Sequence, residues 1–178
     1  MEVTKRMSYA AFLASDVQML DIKNPHQQFH SVNDASAKGI NVPNLVFDST
    51  AINRDEPGAL LWIDIEDNPG EIIITSTKQP YHFTDDYGNP PDTDLPCYAE
   101  LSWIYSNERA AKLIKIIKNH LENATFVEIW HYWIGDGRDL SNGMKKYSIH
   151  MDKLTTSLLE KLFTHNFGEY DCIVVRRK

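Results

Sequence analysis

Cysteine is scarce in this sequence, and long apolar runs are absent. The 178 residues include only Cys97 and Cys172, without any C-x-x-C spacing, so neither a disulfide framework nor a paired-thiol motif is indicated. We predict two buried free thiols, because free cysteine packs as a small hydrophobe. No stretch reaches the roughly 18 consecutive apolar residues of a membrane-spanning helix, and residues 1–7 do not begin a signal peptide. The prediction is a cytoplasmic protein that does not bind membranes.

Internal repeats and low-complexity tracts are also missing, and neither a disordered nor a fibrous class is indicated. The apolar share of 42% and the charged share of 24% are those of an ordinary globular protein. The length suits one core of good size. We therefore predict a single domain over residues 1–178.

Basic residues are rare in one segment of the chain. Residues 44–96 hold eleven acidic residues against two basic ones, Arg54 and Lys78, a local balance of −9. The flanking segments restore the total of −7, with four against four in residues 1–43 and twelve basic against ten acidic in residues 97–178. Such an acidic block repels nucleic acid and attracts a basic partner. A solubilising role for the same carboxylates is the alternative.

The first half of the chain is predicted to be irregular, with few strands. Residues 1–43 are interpreted as a short helix near residues 8–15 and a polar loop over residues 21–43. Within residues 44–96 we expect a hairpin, in which the alternating run 61–65 and the β-branched run 72–75 are joined by a type II turn at 68–71. Prolines then exclude a helix or a central strand over residues 78–96, which are predicted to form a long loop.

Residues 97–178 carry the clearest periodicity in the sequence. Alternating or β-branched runs predict strands, and apolar residues three and four apart predict helices. The predicted order is strand 98–105, helix 108–121, strand 126–134, strand 145–151, helix 154–163 and strand 170–177. This βαββαβ order is that of the ferredoxin-like fold. The fold class predicted for the whole chain is α+β, with the N-terminal hairpin extending this half into a mixed sheet.

The strand 126–134 is unusual because it is apolar on both sides. In a freestanding ferredoxin-like domain the sheet face opposite the helices is open to water, and its strands alternate. Here Val127 and Ile129 fall on one side, whereas Trp130 and Tyr132 fall on the other. Something must therefore cover the second face. The first 96 residues are one candidate, and a partner or a second subunit in a homodimer is the other.

Histidines and aspartates supply the candidates for chemistry. His131 and His150 could face each other across a hairpin of strands 126–134 and 145–151, and with Asp136 they would form a small hydrolase-like or ligand-binding site. His26 and His30 are four residues apart, but they lack the acidic residue and third ligand of a zinc motif. No nucleophile signature accompanies Cys97. We predict no cofactor and no metal.

A non-catalytic protein-binding module is the function that the charge pattern favours. In its general features the chain resembles small acidic α+β proteins that neutralise bacterial toxins, which is an analogy only. The partner predicted from the charge is a basic protein. The residues predicted to contact it are Asp85, Asp86, Tyr87, Asp92, Asp94, Trp130 and Tyr132.

Overall fold

The part of the chain that the structure describes contains one mixed six-stranded sheet, a two-stranded sheet and three α-helices. The computed structural model describes residues 8–25, 27–42, 50, 53–63, 72–77, 93–134, 144–164 and 171–177. In chain order its elements are β1 (Ser8–Ser15), β2 (Gln27–His30), α1 (Val32–Ala37), β3 (Leu60–Ile63), β4 (Ile73–Thr77), β5 (Cys97–Ser102), α2 (Asn107–His120), β6 (Phe126–Ile134), β7 (Lys146–His150), a short 3₁₀ helix (Met151–Lys153), α3 (Thr156–Thr164) and β8 (Cys172–Arg176). The predicted α+β class is confirmed.

The strand order of the large sheet differs from the predicted one. The order is β4-β5-β1-β6-β8-β7, in which only the β7–β8 pair is parallel. A ferredoxin-like sheet fills the place between β5 and β6 with a strand of the βαββαβ unit itself. Here β1 occupies that place and pairs with both neighbours. The ferredoxin-like order is therefore wrong for this chain.

Both predicted hairpins are also wrong. Strand β6 pairs with β8, so β8 separates β6 from β7. Strand β3 pairs with β2 in the small sheet, whereas β4 pairs with β5 in the large one. The predicted turn at 68–71 lies outside the described residues. The prediction assumed that strands adjacent in sequence pair with each other. That assumption fails for β6 and β7, because α3 connects β7 to a parallel β8 that lies between them.

The predicted helix near residues 8–15 is a strand, and a central one. Leu13 and Ala14 point to opposite faces of the sheet, and each is fully buried. When both faces of a sheet are covered, the residues of a central strand no longer alternate between apolar and polar. This segment therefore lacks the two-residue period that identifies a half-buried strand. The predicted loop 21–43 contains β2 and α1. Ser31 begins α1 by accepting a hydrogen bond from the Asp34 N–H at 3.1 Å.

The helices α2 and α3 pack on one face of the large sheet, as the periodicity predicts. Ser106 caps α2 by accepting from the Arg109 N–H at 3.2 Å. Leu113 and Ile117 of α2 are completely buried, and so is Leu159 of α3. The sheet side of this core consists of alternate strand residues, namely Leu13, Ile74, Ala99, Leu101, Val127, Ile129, Ile149, Ile173 and Val175. We call this side of the sheet the helix face, and the opposite side the second face.

The chain divides into two compact units. The first comprises residues 1–23 and 70–178 and contains the large sheet; the second comprises residues 24–69 and contains β2, β3 and α1. Within the second unit, His30 is buried and its Nδ1 lies 2.6 Å from Oδ2 of Asp34. The Lys38 ammonium donates to the same carboxylate oxygen at 3.0 Å. The predicted single domain over 1–178 stays a prediction.

Candidate functional site

A buried polar cluster lies at the centre of the second face, and it is the most unusual chemical feature of the described residues. The Trp130 ring is fully buried and stacks on Phe12, with ring centroids 5.6 Å apart and planes 7° from parallel. Its indole N–H donates to Oε2 of Glu128 at 2.9 Å. The Lys146 ammonium donates to Oε1 of Glu128 at 3.2 Å and lies 5.1 Å from the Trp130 ring centre. We call Phe12, Glu128, Trp130, Lys146 and Cys172 the second-face cluster.

The strand register explains how this cluster forms. Glu128 and Lys146 lie on β6 and β7, with β8 between them, and Lys146 is level with Cys172. Because the Cys172 side chain is small, the long side chain of Lys146 can cross β8 there and reach the Glu128 carboxylate. The side chain of Glu128 is 8% exposed and that of Lys146 is 29% exposed. A buried carboxylate requires such a partner, because an unpaired charge in the interior is strongly destabilising.

The chain itself covers the centre of the second face. Partly buried side chains of Leu95, Tyr98 and Met144 pack against the buried apolar residues of this face, namely Phe12, Ala14, Trp130, Cys172 and Val174. Leu95 belongs to the first 96 residues, which were one predicted cover, whereas Tyr98 and Met144 belong to the C-terminal half. A homodimer through this face stays a prediction, and it would have to use the exposed margin of the face and leave the buried centre untouched.

The thiol of Cys172 is poorly placed to act as a nucleophile. Burial, reinforced by the nearby Glu128 carboxylate, raises the pKa of the Cys172 thiol far above its ordinary value. Because the thiolate is the reactive form, this thiol is chemically inert in the folded protein. Cys172 is buried as predicted, whereas Cys97 is only partly buried.

The structure does not bring His131 and His150 together. His131 follows Val127 and Ile129 on the helix face, and its Nδ1–H donates to the Leu162 backbone oxygen at 2.8 Å. Its ring also lies 4.8 Å from that of Phe163. His150 is exposed, two strands away, and level with Arg176 on the second face. Asp136 lies outside the described residues.

His131 therefore anchors α3 to the sheet. Burial lowers the pKa of the His131 imidazole, against the opposing effect of the hydrogen bond to Leu162. The neutral ring still donates Nδ1–H to the carbonyl, so the contact does not depend on a charged imidazole.

The residues predicted to contact a partner fall into three groups. Asp94 is described and exposed. Trp130 is completely buried, so the prediction that it offers an exposed contact is not supported by its position. Tyr132 lies in β6, but its side chain is outside the description, as are Asp85, Asp86, Tyr87 and Asp92 altogether.

A serine, a histidine and an aspartate meet where β1 ends, a combination that sequence reasoning missed. The Ser15 hydroxyl lies 2.8 Å from Nε2 of His120, and Asp16 follows it in the chain. However, Ser15 is fully buried, and the Phe126 carbonyl, 2.9 Å from the Ser15 hydroxyl, competes with His120 for its single proton. A catalytic triad needs a reachable hydroxyl whose proton passes to histidine. This group is structural.

Asp16 fastens the same corner by accepting from the backbone N–H groups of Thr125 and Phe126, at 3.0 Å and 3.2 Å. Burial opposes ionisation of Asp16, but these hydrogen bonds outweigh it and hold its pKa below the ordinary value. For His120, burial lowers the pKa, whereas the Asp16 charge and a hydrogen bond to the Val17 backbone act in the opposite direction. The corner ties the end of α2 to β1.

Within the described ranges, no group of three histidine, cysteine, aspartate or glutamate side chains is arranged to hold a metal ion. The described helices include none with the length and apolar character needed to cross a bilayer. Comparisons with protein-family models, curated proteins and solved structures found no match.

Proposed function

We propose that this protein is a non-catalytic binding module that presents its acidic segment, residues 85–94, to a basic protein partner. The observation that carries the proposal is the charge distribution: residues 44–96 hold eleven acidic and two basic residues in a chain whose remainder is nearly balanced. Concentrated charge of one sign steers a partner of opposite sign and raises its association rate. A basic protein toxin is one partner of this chemistry.

The described residues support the proposal at the C-terminal end of this segment. Asp94 is exposed, whereas the next residue, Leu95, packs against the second-face cluster. The Leu95 N–H donates to the Thr93 hydroxyl at 3.3 Å. A side chain presented beside a packed anchor loses less conformational freedom on binding than one on a free tail.

Two further acidic residues of the block, Asp55 and Glu56, are exposed in the second unit. Asp55 accepts a hydrogen bond from the Asn33 amide at 2.7 Å and shows no lysine or arginine within ion-pair distance among the described residues. Exposed carboxylates of this kind add to the long-range attraction of a basic partner.

The test is charge reversal at Asp85, Asp86, Asp92 and Asp94 to lysine in one variant. A matched control reverses Glu108, Glu122, Asp152 and Glu160, four exposed acidic residues outside the block. Both variants change net charge equally. We expect only the first to lose capture of the partner, with its thermal unfolding unchanged. Equal loss in both variants would mean that net charge, and not this segment, governs capture.

A further inference from the structure

The two edge strands of the large sheet, β4 and β7, differ in the hydrogen bonds that their outward backbone groups make with the rest of the described chain. At the β4 edge, Ile22 and Ile74 exchange two backbone hydrogen bonds of 2.8 Å and 2.9 Å. The next outward N–H, that of Ser76, donates to the Asp21 carboxylate at 2.7 Å. The hydroxyl of Ser76 donates to the Met19 carbonyl at 2.9 Å. These contacts occupy the groups that an incoming strand would need.

No strand that the structure describes pairs with the outer edge of β7. The Lys145 carbonyl accepts from the N–H groups of Asp171 and Cys172, at 2.8 Å and 3.2 Å, so residue 145 faces β8. Backbone groups alternate along a strand, so the N–H groups of Lys146, Ser148 and His150 point away from β8. None of the residues that the structure describes accepts a hydrogen bond from them.

We propose that the β7 edge is a docking site for an extended, acidic segment of a partner protein, which adds a strand beside Lys146–His150. Such strand addition uses backbone hydrogen bonds for affinity and alternate side chains for specificity. The proposal concerns a different surface from the acidic segment, and it does not rest on the function proposed above.

The positive charge beside β7 favours an acidic segment as the added strand. Residues 145–153 contain three lysines and one acidic residue, Asp152, in a chain of net charge −7. Exposed Lys145 directly precedes the strand, and exposed Lys153, whose ammonium lies 3.9 Å from the Asp152 carboxylate, ends the 3₁₀ helix that follows it. Exposed Arg176 lies level with His150 on β8 and adds a second cation at that end. Two copies of the protein would bring these cations together, and like charges across paired strands are destabilising. An acidic strand instead meets opposite charge at both ends.

Ser148 allows a specific test, because its outward N–H makes no hydrogen bond within the sheet. Ser148→Pro removes that N–H, and proline is tolerated on an edge strand where the N–H faces solvent. Ser148→Ala keeps the N–H and is the matched control. The probe is a short, capped, fluorescein-labelled peptide in which threonine and glutamate alternate, beside an identical peptide with lysine for glutamate. Binding is measured by fluorescence anisotropy at low salt, with thermal unfolding of each variant.

We expect the native chain and Ser148→Ala to bind the glutamate peptide and not the lysine peptide. Ser148→Pro should weaken binding by about tenfold or more. Binding should also slow amide hydrogen exchange at Lys146, Ser148 and His150. The variant Lys145→Glu with Lys153→Glu, which leaves every backbone group in place, should lose binding of the glutamate peptide as well.

Three results would overturn the proposal. The first is absence of binding to the native chain, and the second is equal affinity of Ser148→Pro and Ser148→Ala. The third is a concentration-dependent dimer of the native chain that Ser148→Pro dissociates, since a second copy would then be the occupant. The reversal of Asp85, Asp86, Asp92 and Asp94 leaves β7 intact, so its result does not decide this proposal.

Discussion

Replacement of Lys146 by methionine measures how strongly the second-face cluster depends on its ion pair. The change removes the ammonium that donates to Glu128 at 3.2 Å and leaves a carboxylate whose side chain is only 8% exposed. The Trp130 indole N–H, at 2.9 Å, remains its one partner among the described contacts. Breaking a fully buried pair costs about 3–5 kcal/mol, whereas an exposed pair contributes about 0–1 kcal/mol. Because Lys146 is 29% exposed, we expect a loss of about 2–3 kcal/mol.

The reciprocal change should cost less. Glu128→Gln keeps an oxygen for the Trp130 indole, and the partly exposed Lys146 ammonium can turn toward water, so we expect about 1 kcal/mol. The double variant should be no less stable than Lys146→Met alone, because no unpaired buried charge remains. The resulting coupling free energy is at least about 1 kcal/mol, above the roughly 0.5 kcal/mol within which independent sites add.

Urea denaturation followed by far-UV circular dichroism gives the three free energies of unfolding, provided that the m-values agree. The reasoning is refuted if the single losses simply add in the double variant. It is equally refuted if Glu128→Gln costs more than Lys146→Met, because the order of the two losses follows from the two exposures.

Three further predictions concern histidine, cysteine and the β1 corner. Burial lowers the pKa of His131 and His120 in the folded protein. As the pH falls below about 6.5, the unfolded chain therefore binds more protons than the folded chain does. The free energy of unfolding should then fall between about pH 7.5 and 5.5. His131→Phe should reduce that fall, and an unchanged pH slope would contradict this. An aromatic disulfide reagent should modify Cys97 in the folded protein and Cys172 only after unfolding; two rapid equivalents would contradict its burial. Asp16→Ala should cost about 1 kcal/mol by removing the acceptor for the Thr125 and Phe126 N–H groups, and an unchanged thermal midpoint would contradict that assignment.

Local periodicity predicts the elements of the C-terminal half well. The bounds of β6 agree with the predicted strand 126–134, and α2 begins and ends within a residue of its predicted helix. Each of these elements has a local sequence pattern of its own. For a helix it is an apolar stripe with a capping residue, and for a strand it is a β-branched run. The class α+β follows from these elements alone.

Strand order and β1 could not be predicted in the same way. Residues 8–15 have small and apolar side chains on both sides, a pattern that fits a buried helix or a central strand equally. Which strand lies beside β6 depends on contacts with residues far away in sequence. The assumption of neighbouring hairpins placed β7 there, where the structure has β8.

The candidate site was only partly visible in the sequence. Glu128 interrupts an apolar strand, and a charged residue in such a position indicates a buried partner. That partner, Lys146, lies 18 residues away on a strand that is not adjacent to β6. The pairing requires both the true strand order and the small Cys172 on the strand between them. Neither can be derived from spacing along the chain.

Capture of a partner from the source cell tests the proposed function most directly. The native chain, the variant reversed at Asp85, Asp86, Asp92 and Asp94, and the control reversed at Glu108, Glu122, Asp152 and Glu160 serve as baits at low and physiological salt. The account predicts one basic protein that the native chain and the control capture, that the first variant loses, and whose capture weakens as salt rises. Capture of the same protein by the first variant, or of an acidic protein by the native chain, would contradict it.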